Sequence, residues 1–103
     1  MEMLKKMVCR VGLIGCGGIG RVHLSAYGSV PNVKVVAVAD IDKDKAMEAA
    51  RKVNVEAWYE DYVKMLKRAD IDIVDVCLPV FLHQKAVIDA AEAGKHVPLT
   101  YFK

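Results

Sequence analysis

The sequence predicts a doubly wound α/β domain: a five-stranded parallel sheet of order 3-2-1-4-5 with helices on both faces. Three observations carry this reading. Short β-branched apolar runs alternate with stretches of helical periodicity along the chain. Those runs lack the polar alternation of a sheet with one wet face, so they suit strands covered on both sides. The first run passes directly into a glycine-rich turn that opens a helix, as a parallel βαβ unit requires.

The elements follow in order. Val8 to Ile14 is short and apolar and ends in glycines, which predicts a buried first strand. Gly18 to Tyr27 predicts a helix with Ile19, Val22, Ala26 and Tyr27 turned inward. Val33 to Ala39 (VKVVAVA) reads as the second strand, and Asp42 as the N-cap of a helix whose stripe is Ala46, Ala49, Ala50 and Val53. Ala57-Trp58 marks a weak third strand, and Tyr62, Val63 and Leu66 a short third helix. Ile71 to Leu78 is the fourth strand, stopped by Pro79, which cannot continue a central ladder. Leu82 to Ala93 is the fourth helix, with Ala86, Val87, Ala90 and Ala91 inward and Gly94 ending it; His96 to about Thr100 is the expected fifth strand. Such a βαβαβαβαβ order implies right-handed crossovers.

Composition narrows the function classes. The 103 residues are enough for one domain and not for a second with its own core. Fifteen basic residues against 13 acidic give a net charge of +2, with basic and acidic residues interspersed, which argues against nucleic acid as a partner. No apolar run approaches the ~20 residues of a membrane span. Leu13-Ile14-Gly15-Cys16 has the form of a lipoprotein cleavage box, but Arg10 and Gly12 interrupt the apolar core a leader needs. Cys9, Cys16 and Cys77 form neither a CxxC pair nor an even set, so the reading is a cytoplasmic protein without disulfides.

Gly15-Cys16-Gly17-Gly18-Ile19-Gly20 matches G-x-G-x-x-G. The pattern also occurs in glycine turns that bind nothing; its place between strand and helix in the first βαβ unit gives it weight. Gly15 then makes the tight turn, Gly17 lets backbone approach a pyrophosphate, and Gly20 lets the helix pack against the strand. The helix N-terminus presents amides and the positive dipole end to the phosphates. Arg21-Val22 stand where a triphosphate-binding loop would have Lys-Ser or Lys-Thr. Asp40 closes the second strand 20 positions after Gly20, where the fingerprint places an acid for the ribose hydroxyls. A carboxylate there favours NAD and repels the 2′-phosphate of NADP. The alternative is an exposed strand-end Asp, and Asp42 fits that description too. Ile41 is positioned to cover one face of the adenine.

The runs VGLIGCGGIGRVHLSAY, VVAVADID, WYEDYVKML, DIDIVDVCLPVFLH and AAEAGKHV together resemble the N-terminal domain of the Gfo/Idh/MocA oxidoreductases, from about Val8 to Val97. The resemblance implies a Rossmann domain that holds the pyrophosphate on Gly15, Cys16, Gly17, Gly18, Ile19 and Gly20 and the ribose on Asp40. It implies that Leu78, Pro79 and His83 belong to the loop beside the nicotinamide. That loop lies at the switch point between strands one and four, where doubly wound sheets bind ligands. Val80 stands where the family often has Asn or Thr. After Gly94-Lys95-His96-Val97 the family continues with two residues and then Glu-Lys-Pro, whose lysine reaches the substrate. Here Pro98-Leu99 are followed by Thr100-Tyr101-Phe102, and Tyr101 aligns with that lysine. The family's second domain, with its catalytic histidine and substrate residues, is not in these 103 residues. No catalytic residue is therefore assigned, and no turnover is expected from this chain alone. The resemblance points to the cofactor half of a sugar or polyol oxidoreductase, completed by a separate substrate-domain polypeptide; the alternative is a non-catalytic interaction module or a truncated remnant.

The remaining residues carry less. His23 reads as a packed or half-exposed histidine and His96 as structural, and with no ligand-spaced partners no metal site is expected. Cys16, at a helix N-terminus, is expected to have a lowered pKa and some reactivity. Glu60-Asp61 suit a helix start, and Trp58 and Tyr59 suit packing. An edge at the fifth strand and the apolar tail Pro98 to Phe102 lead to the expectation of a homodimer through that strand, the fourth helix and the tail; the alternative is a monomer.

Overall fold

The computed structural model describes residues 8–98. Its elements are β1 (Cys9–Ile14), α1 (Gly18–Tyr27), β2 (Val33–Ala39), α2 (Lys43–Lys52), β3 (Trp58–Tyr59), α3 (Tyr62–Leu66), β4 (Ile73–Val76) and α4 (Val80–Glu92). The strands form one sheet of order β3-β2-β1-β4. Every pairing is parallel.

Burial follows the strand periodicity. Val11, Leu13, Val35 and Val38 share one core with Leu24, Ala49 and Ala50, so α1 and α2 cover that face. Ile14, Ala37, Val74 and Val76 share the other with Met65, Leu66, Ala86 and Ala90, beneath α3 and α4. Val11 pairs with Val35 but Gly12 pairs with Ala37, which leaves Val36 as an extra residue in β2. That bulge is why Val35 and Val38, three apart, share a face. Asp42 caps α2 through its side chain, which accepts from the amides of Asp44 and Lys45. Gly94, at φ +82°, follows the end of α4 as expected of a left-handed terminator.

Five expectations need correction. Among the described residues the sheet has four strands, not five: His96 makes a single parallel bridge to Ile73, and residues from 99 onward lie outside the described set. That bridge does begin a fifth position beside β4, through Val74 N–H to His96 O (2.8 Å) and His96 N–H to Asp72 O (3.1 Å). The helix after β4 starts at Val80 rather than Leu82, because the Pro79 carbonyl accepts from both the Leu82 and His83 amides at 2.9 Å. In α3, Val63 is exposed and Met65 fills the core beside Leu66; in α4, Ala91 is exposed.

The largest correction concerns α1. Ile19 and Val22 are 62% and 66% exposed, and Ala26 is exposed too. The inward residues are Gly20 and Leu24, with His23 and Tyr27 half-buried. The cause is steric. A Cβ on Gly20 would sit 1.9 Å from the Gly15 carbonyl oxygen, so this glycine must face the strand and it sets the rotation of the helix. The residues four and seven places on then point inward with it.

Candidate functional site

The glycine turn is built around contact between backbones. Gly15 has φ +99°, a left-handed conformation that favours glycine, and a Cβ there would lie 2.5 Å from the Cys77 carbonyl oxygen. Its amide donates to Ala39 O at 2.8 Å, while the Cys77 amide donates to Ile14 O at 2.7 Å. The turn is thus tied to the ends of β2 and β4 at once. Beyond it the space opens: Cβ atoms on Gly17 or Gly18 would meet nothing within 4 Å. Gly17 is the N-cap of α1, and no side chain caps the helix there. Among the described residues the amides of its first turn thus have no side-chain cap, and they carry the positive end of the helix dipole.

Asp40 locks the site together. Its amide donates to Tyr59 O at 3.0 Å, which fixes the end of β2 to β3. One carboxylate oxygen accepts from the Cys16 amide at 2.8 Å, and the other accepts from the Asp42 amide at 2.8 Å. A carboxylate has about four acceptor positions. Among the described residues two are used, one on each oxygen. Next to the turn, between α1 and α2, lies a recess of about 210 Å³ lined by Cys16, Gly17, Gly18 and Arg21 on one side and by Lys45, Glu48, Ala49 and Lys52 of α2 on the other. A larger groove of about 520 Å³ lies between α1 and α2 near the start of β2, at Val33 and Lys34. Doubly wound sheets bind ligands at the carboxyl ends of their strands, the end at which the smaller recess lies.

The other residues singled out in the sequence fall as follows. Leu78 packs against the turn, with Cδ2 3.2 Å from the position of a Gly15 Cβ. Pro79 and His83 begin α4 immediately after β4, with Pro79 exposed and His83 half-buried. Ile19 is exposed at the start of α1, and Ile41 is 86% exposed beyond Asp40. The expectation of a reactive Cys16 fails. Its thiol is buried and lies 3.5 Å from Ala39 O. Burial first, and then the charge of Asp40, push its pKa up to about 12, and the carbonyl contact offsets only part of that. Cys9 is exposed. A thiol reagent at pH 8 is therefore expected to modify one cysteine rapidly; Cys9→Ser removes the fast phase and Cys16→Ser leaves it intact. Rapid loss of the Cys16 thiol in labelling followed by mass spectrometry would contradict the burial argument.

Sequence reasoning missed one cluster. Asp75, buried in β4, receives the Tyr27 hydroxyl at 2.6 Å and pairs with His23 Nδ1 at 2.7 Å. The sulfur of Cys77 lies 3.3 Å from the same histidine nitrogen. His23 thus has partners of ligand type, 52 and 54 residues away, where no local spacing reveals them. The available signal was Asp75 itself, because a carboxylate inside a run as apolar as IDIVDVCL must find partners in the core.

Known proteins share this architecture. The scyllo-inositol 2-dehydrogenase (NAD(+)) of Bacillus subtilis is 36% identical over 96 residues, covering 88% of this chain and 28% of that protein. The crystal structure of scyllo-inositol dehydrogenase from Lactobacillus casei with bound NAD(H) and scyllo-inositol has a TM-score of 0.81 at 28% identity, over 87% of this chain and 27% of that one. A 3-ketoreductase from Actinomadura kijaniata in complex with TDP-benzene and NADP has a TM-score of 0.81 at 37% identity, over 87% and 29%. The chain spans only about a fifth to just over a quarter, 21–28%, of the length of these curated relatives. Among the described residues, no helix is long and apolar enough to cross a membrane. The profile described as an oxidoreductase family with an NAD-binding Rossmann fold matches residues 9–99, and with the glycine turn and strand-end acid in place this chain belongs to the Gfo/Idh/MocA family as its NAD-binding domain.

Proposed function

We propose that this domain binds NAD(H) in preference to NADP(H) and serves as the cofactor half of an oxidoreductase acting on the alcohol carbon of a sugar or polyol. The observation that carries the cofactor reading is Asp40. Its carboxylate is held against the Cys16 amide, and the second acceptor position of each oxygen is assigned to the ribose, one to the 2′-OH and one to the 3′-OH. The open space over Gly17 and Gly18 fits a pyrophosphate lying on backbone, with the uncapped amides of α1 as donors. Leu78, Pro79 and His83 then border the nicotinamide end, and Ile41 and Ile19 offer apolar surface to the adenosine side.

When bound, the cofactor supplies the hydride acceptor or donor. The residues of this chain bind it, orient it and select its ribose. No group here is assigned to move the substrate proton. Tyr101, which aligns with the family's lysine, lies outside the described residues, as do Leu99, Thr100 and Phe102 of the tail on which the dimer expectation rests. The names of relatives such as myo-inositol 2-dehydrogenase and levoglucosan dehydrogenase support a polyhydroxy substrate for the whole protein. The second reading, a binding module without turnover, takes the same cofactor site.

Calorimetry with NAD, NADH, NADP and ADP-ribose tests the proposal. NAD and ADP-ribose are expected to bind with similar affinity, because the adenosine and pyrophosphate make most of the contacts this domain offers. NADP is expected to bind about tenfold or more weakly, ~1.4 kcal/mol or more, through repulsion between its 2′-phosphate and Asp40. Equal or tighter binding of NADP would reject the assigned preference, and no binding of any of the four would reject the site.

A further inference from the structure

The cluster beneath the glycine turn has a composition that dinucleotide binding does not call for. Asp75 and Cys77 are two residues apart at the end of β4, so both project toward α1. His23 comes down from α1 onto the same spot. Its Nδ1 lies 2.7 Å from Asp75 Oδ2 and 3.3 Å from Cys77 Sγ, and that sulfur lies 3.5 Å from Asp75 Oδ1. One nitrogen, one oxygen and one sulfur donor therefore converge within 4.8 Å of one another. Asp75 is the one buried charged side chain among the described residues. Tyr27, one helical turn beyond His23, donates to Asp75 Oδ2 at 2.6 Å and so orients the carboxylate.

We propose that His23, Asp75 and Cys77 form a binding site for a borderline-soft divalent cation, zinc by the chemistry of its donors. Tetrahedral zinc at its usual bond lengths places nitrogen, oxygen and sulfur donors roughly 3.4–3.6 Å apart. The two separations that involve sulfur are already close to that, at 3.3 and 3.5 Å. Entry of the cation requires the short contact between His23 Nδ1 and Asp75 Oδ2 to break. With Oδ1 as the ligand, Oδ2 keeps the Tyr27 hydroxyl, an outer hydrogen bond of the kind that fixes ligating carboxylates.

On binding, Cys77 releases its thiol proton to solvent and becomes the thiolate ligand, while His23, whose Nδ1–H donates to Asp75 without the cation, changes to the Nε2–H tautomer and turns an unprotonated Nδ1 to the metal. A dication with one carboxylate, one thiolate and one neutral imidazole carries no net charge, which lowers the cost of holding it in this half-buried place. The His23 side chain is 31% exposed, which gives an entry path and leaves the fourth coordination position for water. The site is independent of the dinucleotide reading: none of its three side chains is assigned to the cofactor.

The test is a cobalt titration of the full chain, freed of metal by a chelator and kept reduced. One equivalent of Co²⁺ is expected to produce a thiolate-to-cobalt charge-transfer band in the near ultraviolet together with the strong visible absorption of a tetrahedral site. Zinc is expected to displace the cobalt and to raise the Tm. Cys77→Ser is expected to abolish the charge-transfer band, and His23→Gln to weaken cobalt binding at least about tenfold. Cys9→Ser and Cys16→Ser are expected to leave both readouts intact. A wild-type chain with no charge-transfer band overturns the proposal whatever the variants do, and the cluster is then only a hydrogen-bonded core. A band that survives Cys77→Ser, or disappears with Cys9→Ser, overturns it equally.

Discussion

Replacing Gly20 by alanine is expected to abolish dinucleotide binding and to lower the melting temperature by about 10 °C. The added Cβ would lie 1.9 Å from the Gly15 carbonyl oxygen, 3.0 Å from its carbon and 3.4 Å from Leu13 Cδ2. Two of those atoms are backbone, so no side-chain rotation relieves the clash. Either α1 moves off β1 or the Gly15 turn is remade. Moving the helix pulls Leu24 from the core it shares with Val11, Leu13 and Val38. Overpacking of this kind costs about 1–3 kcal/mol, and each kcal/mol shifts the Tm of a domain this size by about 4–8 °C. Remaking the turn breaks the Gly15 contact with Ala39 and moves the amides that would face the pyrophosphate. Gly18→Ala is the control. A Cβ there meets nothing within 4 Å, so its fold should be kept or slightly strengthened, by up to about 1 kcal/mol of helix preference. Thermal melts followed by circular dichroism, paired with NADH titrations, separate the two variants. A Gly20→Ala protein that melts with the wild type would show that the helix and strand are not in the described contact.

The same contact shows where the sequence was readable and where it was not. The β1-turn-α1-β2 unit could be read because β-branched runs, a glycine turn and a strand-end acid are all local in the chain. The phase of α1 is not legible from its apolar residues, because those that look like a stripe face solvent. Ile19, Val22 and Ala26 make a plausible stripe, but the absence of a side chain at Gly20 outweighs them. Had the third glycine of the motif been treated as the anchor, Leu24 and Tyr27 would have followed from it. Cys16 failed for a comparable reason. The helix N-terminus favours a thiolate, yet burial and the nearby Asp40 act more strongly in the opposite direction. The His23–Asp75–Cys77 grouping was not readable at all as a pattern, since it depends on α1 crossing β4. The short β3 and the single bridge at His96 lie where apolar runs are shortest, and there tertiary pairing decides what propensity leaves open.

Asp40→Ala is expected to weaken NAD binding about 30- to 100-fold, ~2–3 kcal/mol, and to shift the NAD/NADP ratio toward NADP. Two effects are superimposed in this variant. The first is loss of the acceptors for the ribose hydroxyls together with the charge that repels a 2′-phosphate. The second is structural: the Cys16 and Asp42 amides lose their carboxylate partner. Water can replace it at Asp42, which is exposed, but Cys16 is buried, and a buried amide left unpaired costs about 1–3 kcal/mol. Affinity alone therefore does not isolate ribose recognition, because a loosened Cys16–Gly18 turn weakens NAD and NADP together. The ratio does isolate it, since turn damage cancels between two ligands that differ only in the 2′-phosphate. Asp40→Asn sharpens the comparison. It keeps one carbonyl acceptor for Cys16 or Asp42, turns a donor toward the other amide, and removes the charge. Its stability should fall between wild type and Asp40→Ala, while its NAD/NADP ratio should move as far as that of the alanine variant. If both variants lose stability and neither changes the ratio, Asp40 is a brace for the glycine turn and the ribose is selected elsewhere.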